Sequence, residues 1–186
     1  MSLKAKLATT LAALCMVICL LTVGVWAASQ GTVTLHGTVN FVASDVNVKI
    51  EGETSGTNGY QALAKTTIAE WDASADYDTA EETWEPAITF TNKNQVITVT
   101  ITVTNNSTER KVDAVFAPTL NDTAITATEE AAPVGDTNIK AYYTTKAQIA
   151  EGGNATYTVV MSIVDANKTV KDVVLGGTLI LENAEA

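Results

Sequence analysis

Three observations in this 186-residue chain predict an all-β fold, an antiparallel β-sandwich of about eight strands. Apolar and polar residues alternate with a period of two in several segments, and short clusters of Gly, Asn, Asp and Ser interrupt that pattern. The regular helical stretches needed to join parallel strands are missing. Successive side chains of a strand point to opposite faces, so strict alternation means one buried face and one wet face. Short strands between frequent turns suit two packed antiparallel sheets, of jelly-roll or Ig-like type.

The first strand is predicted over Thr32 to Phe41, where Val33, Leu35, Gly37, Val39 and Phe41 occupy one face and Thr32, Thr34, His36, Thr38 and Asn40 the other. Weaker strands follow at Val46 to Ile50 and Ala87 to Thr91. The clearest alternation is Ile97, Val99, Ile101 and Val103 against Thr98, Thr100, Thr102 and Thr104. Further strands are expected at Val112 to Leu120, Ile139 to Thr145, Ala155 to Ile163 and Val173 to Leu181. The strand carrying Tyr157, Val159 and Met161 is only partly polar on its second face, because of Val160 and Val164, and so reads as central. Between Asn58 and Trp71 the pattern changes: Ala64, Ile68 and Trp71 fall at helical spacing, and Asn58 with Gln61 fits a capping box. A short helix near 60–71 is the expectation there, opposed by the β-branched Thr66, Thr67 and Ile68.

Ahead of this body, Lys4 and Lys6 precede an apolar run from Leu7 to Val25 that ends in Val25-Trp26-Ala27-Ala28-Ser29. That order matches a secretory signal peptide over 1–27, cut after Ala27. The alternative is an uncleaved anchor, since about 20 apolar residues span a bilayer. Residues 28–186 then form a single domain that lies outside the cell, or on its surface, and makes no membrane contact once the leader is removed. Both cysteines, Cys15 and Cys19, belong to the leader, so no disulfide staples the exported part. An exported domain without cysteine points to a bacterium, with core packing alone holding the fold. The leader carries two lysines and no acid, which leaves 9 basic against 21 acidic residues and a net charge of −12. A surplus of that sign disfavours nucleic acid, whose phosphates demand cationic partners.

Catalysis has few candidates. His36 is the single histidine, so a Ser-His-Asp arrangement could be built only around it and an HExxH site is excluded; it sits among threonines with no nucleophile motif near it and reads as an exposed bystander. No catalytic residue is assigned, and no cofactor is expected, with calcium as the exception to test. Asp72, Asp76, Asp78, Glu81 and Glu82 form an acidic loop of the hard oxygen donors that calcium uses, though without the glycine turn of an EF-hand. Trp71, Tyr77 and Trp84 flank and enter that loop and could stack on sugar rings or plug the core.

Three phrases of the exported part resemble camelysin and TasA-type biofilm matrix proteins. Phe41-Val42-Ala43-Ser44-Asp45-Val46-Asn47-Val48 is similar to their F-x-A-G-x-L-x-L opening, with Ser44 in place of the usual glycine. Ile88-Thr89-Phe90-Thr91-Asn92, followed by Ile97 to Asn105, resembles the strand pair that comes next, and the stretch from Ile149 to Val159 resembles a later turn and strand. The resemblance implies a jelly-roll subunit exported by Gram-positive bacteria that assembles into surface fibres by lending its N-terminal strand to a neighbour. The metalloprotease activity described for camelysin is not carried over, because one histidine cannot support it.

The expected function is therefore a non-enzymatic extracellular structural subunit, with Val33, Leu35, Val39 and Phe41 as the assembly strand and a second copy or a homologous matrix subunit as partner. The alternative is a carbohydrate-binding or adhesion module for cell-wall or host glycan, centred on Trp71, Tyr77 and Trp84, with calcium at the acidic loop.

Overall fold

Each segment of strict alternation is a strand in the computed structural model, which describes residues 31–41, 46–72, 87–128, 132–144, 148–168, 170 and 173–184. Among these residues there are eleven strands: β1 (Gly31–Phe41), β2 (Asn47–Gly56), β3 (Thr66–Asp72), β4 (Ala87–Phe90), β5 (Val96–Asn105), β6 (Val112–Leu120), β7 (Thr123–Ala124), β8 (Ile139–Thr144), β9 (Gln148–Ile149), β10 (Asn154–Ile163) and β11 (Val173–Asn183). One sheet has the order β4-β1-β11-β6-β7, with β9 also on β6, and the other β3-β2-β5-β10-β8. The chain passes repeatedly between the sheets, so their inner faces share one core, a β-sandwich.

The core follows the predicted parity. In β5, Ile97, Val99 and Val103 are buried while Thr98, Thr100, Thr102 and Thr104 line the outer face. In β10, Ala155, Tyr157, Val159, Met161 and Ile163 are buried. Register sets Thr102 opposite Thr156 and Thr100 opposite Thr158, and the hydroxyls of Thr158 and Thr144 on β8 are hydrogen-bonded. The buried residues fall into two clusters, one containing Phe90, Ile97, Leu120, Met161 and Leu175, the other Ile50, Val103, Ile149, Tyr157 and Leu181. Phe116 packs against both, and its ring meets Tyr143 and Tyr157 edge-on at 6.0 and 5.6 Å.

Two buried amides hold the loops. Asn105 donates to the carbonyls of Arg110 (2.7 Å) and Ala150 (3.2 Å) and accepts from the Ser107 amide (3.0 Å). Gln95 accepts from the amides of Thr91 and Asn92 and donates to the Thr91 hydroxyl and the Asn58 carbonyl. Both side chains are fully buried, so these contacts replace lost water. The turn after β2 is closed by Tyr60 N donating to Thr57 O, with Asn58 (φ 51°) and Gly59 (φ 79°) both left-handed, a combination that suits Asn-Gly.

One expectation needs correction. Residues 60–65 have no regular structure and 66–72 form β3, so the predicted helix near 60–71 is not there. Ala64 is exposed, which removes the supposed apolar stripe; Thr66 and Thr67 pair with Gly52 and Glu51 of β2, and the register skips Ile68 at a bulge opposite Ile50 and Glu51. The antiparallel sandwich is as expected, with one parallel pair among the named strands, β1 on β11. Of the three unpredicted strands, β7 and β9 contain two residues each, too few to show a period.

Candidate assembly surface at the first strand

The sequence proposes β1 as an assembly strand, and β1 lies inside a sheet, between β4 and β11. Its ladder to β11 runs from Val33 opposite Val173 to Phe41 opposite Leu181. On the other side it pairs with β4 only from Gly31 to Thr34. Val33, Leu35, Val39 and Phe41 lie in register with Val173, Leu175, Leu179 and Leu181, four side chains that are each at most 3% exposed. Val39 itself is buried. His36 is in register with Gly176, within the sheet.

Midway along this ladder, two glycines face each other for opposite reasons. Gly177 has φ +144°, and a Cβ there would lie 2.7 Å from the Ala117 carbonyl oxygen and 2.8 Å from Pro118 Cα, so β11 approaches β6 too closely for any side chain. At its partner Gly37, a Cβ would meet no heavy atom within 4 Å. Gly37 borders a cavity of about 40 Å³ between the sheets, whose walls include Val99, Phe116, Val159 and Leu179. Its lining is almost wholly apolar, and the side chains around it are short of contacts on that side. Sequence reasoning placed Gly37 on the inward face but drew nothing from it. Its signal is a glycine at an inward position of an alternating strand.

Elsewhere the chemistry is modest. Lys49 Nζ is 3.1 Å and Lys65 Nζ 3.5 Å from Glu51 on the outer face of β2, and the Lys49 contact above all holds the Glu51 carboxyl below its ordinary pKa. Burial, helped by the negative charge of Asp113, pushes the Tyr157 hydroxyl up to about 12. Among the described residues no three His, Cys, Asp or Glu side chains are grouped to hold a metal, and no helix is long and apolar enough to cross a membrane.

Of the predicted acidic loop and aromatic set, the fold places Trp71 opposite Val48 and Asp72 opposite Asn47, at the end of β3. Asp76, Tyr77, Asp78, Glu81, Glu82 and Trp84 lie outside the described residues, as does the leader over 1–27. No protein-family model matches the chain, and a search of curated proteins finds no match either.

Proposed function

We propose that the chain is a non-enzymatic, exported structural subunit that assembles into surface fibres or biofilm matrix by exchanging β1 between copies. The observation that supports this reading most is the place of β1. It is the first described strand, it is joined to β2 only through residues 42–46, and it pairs with β11 from Val173 to Leu181. Lifting it away would leave an unpaired backbone edge along β11 beside the buried Val173, Leu175, Leu179 and Leu181, a state that a β-strand of matching sequence relieves. The same strand from a neighbouring copy meets that need, and repetition of the exchange from copy to copy builds an open fibre. A homologous subunit with a similar first strand could join the same array.

The test uses the full-length gene expressed in a secreting bacterial host, with the exported product collected as it emerges. Light scattering and electron microscopy across protein concentration, pH and salt should reveal growth into fibres. A product that stays monomeric at high concentration throughout would overturn the reading.

A further inference from the structure

We propose that Asn58-Gly59 is a self-modifying site, at which the Gly59 amide nitrogen displaces ammonia from the Asn58 carboxamide and leaves aspartate or isoaspartate in the turn after β2. It is the single Asn-Gly pair of the chain, and both residues are exposed. Among the described residues the Gly59 N–H makes no hydrogen bond. A Cβ built on Gly59 would have no heavy atom within 4 Å, so the attacking nitrogen is open to water. Every other asparagine of the chain is followed by a residue that carries a side chain, which screens the corresponding nitrogen. The chemistry needs no second copy.

Water is the only co-reactant. As the Gly59 nitrogen bonds to Asn58 Cγ, its proton passes to the departing Nδ2, ammonia leaves, and a five-membered succinimide closes between the two residues. Water then opens either carbonyl of the ring: one cleavage gives aspartate, the other isoaspartate, whose main chain runs through the former side chain. Before the ring can close, the carboxamide must let go of the Asn94 carbonyl and the Thr57 hydroxyl, to which Nδ2 donates. Both partners are exposed, so water replaces the lost bonds. The product cannot restore this brace, because a carboxylate only accepts and would face the Asn94 carbonyl oxygen. Isoaspartate also takes the Asn58 carbonyl, which accepts from the buried Gln95 amide at 3.3 Å, out of the main chain. Gln95 in turn holds the Thr91 and Asn92 amides, so modification at Asn58 loosens the loop joining β4 to β5.

The experiment incubates the folded, exported protein in mildly alkaline buffer and maps its peptides by mass spectrometry over weeks, with enzymatic methylation to mark isoaspartate. The peptide containing Asn58 should gain one dalton before any other, more slowly than in the same protein unfolded in urea. Asn58→Gln, which cannot close a five-membered ring, should lose the gain. Gly59→Asn, which tolerates the left-handed backbone and fits the open space but shields the nitrogen, should slow it severalfold. Aged wild type and Asn58→Asp should both exchange the amide hydrogens of Thr91 and Asn92 faster than fresh protein, and Asn58→Asp should melt roughly 2–4 °C lower, the shift that one lost hydrogen bond produces in a domain of this size. Folded protein that keeps its mass at Asn58 while the unfolded chain converts, or that gains mass first at another asparagine, would overturn the site. Conversion with unchanged exchange at Thr91 and Asn92 would overturn its effect on the loop.

Discussion

Alanine at the two facing glycines should move stability in opposite directions. At Gly37 the backbone is outside the left-handed region and the added methyl enters the cavity without touching any heavy atom within 4 Å. Restricting the unfolded chain at such a position contributes about 0.4–1 kcal/mol, and burying one carbon adds up to about 0.8 kcal/mol. A net gain near 1 kcal/mol raises the melting temperature of a domain this size by roughly 2–4 °C. At Gly177 the same methyl would sit 2.7 Å from a backbone oxygen and 2.8 Å from the Cα of a proline, with φ at +144°. Backbone strain of about 1–3 kcal/mol and overpacking of a similar size add to a loss of roughly 2–5 kcal/mol. Neither Ala117 O nor Pro118 Cα is the end of a flexible side chain, so little of that can relax. Thermal and urea unfolding followed by far-ultraviolet circular dichroism measures both variants. A destabilised Gly37→Ala, or a Gly177→Ala of wild-type stability, would refute the account of this seam.

Asn105→Ala should cost about 2–3 kcal/mol in urea unfolding, since it takes the side-chain partner from the buried Ser107 amide and from the Arg110 carbonyl. Tyr157 keeps its proton to about pH 12 in the fold but loses it near 10 when unfolded, so its contribution is complete below pH 10 and disappears as pH rises from 10 to 12. Tyr157→Phe should flatten that part of the stability curve, and an unchanged slope would show that another group sets it. Breaking the exposed Lys65–Glu51 pair with Lys65→Ala should leave the melting temperature at the wild-type value, because water and salt screen a surface pair. On a glycan array the exported protein should give no signal that depends on Trp71 and Trp84. Binding abolished by alanine at both, with the fold intact, would move the functional reading to carbohydrate recognition.

The strands were legible because the direction of a side chain in an extended backbone is a local property. Thr98 to Thr104 and Ala155 to Ile163 announce their inner and outer faces without reference to any partner. The segment at 66–72 was misread because Ala64, Ile68 and Trp71 imitate a helical stripe, and pairing with β2, a contact distant in sequence, decides otherwise. The candidate site divides the same way. Val33, Leu35, Val39 and Phe41 read as one face from their alternation alone, but that they meet the last described strand in parallel depends on which edges come together in space. Gly37 and Gly177 are the sharpest case. They are the same residue in the sequence, yet one stands over empty volume and the other against a backbone, because free space belongs to the packing of two sheets and to neither strand alone.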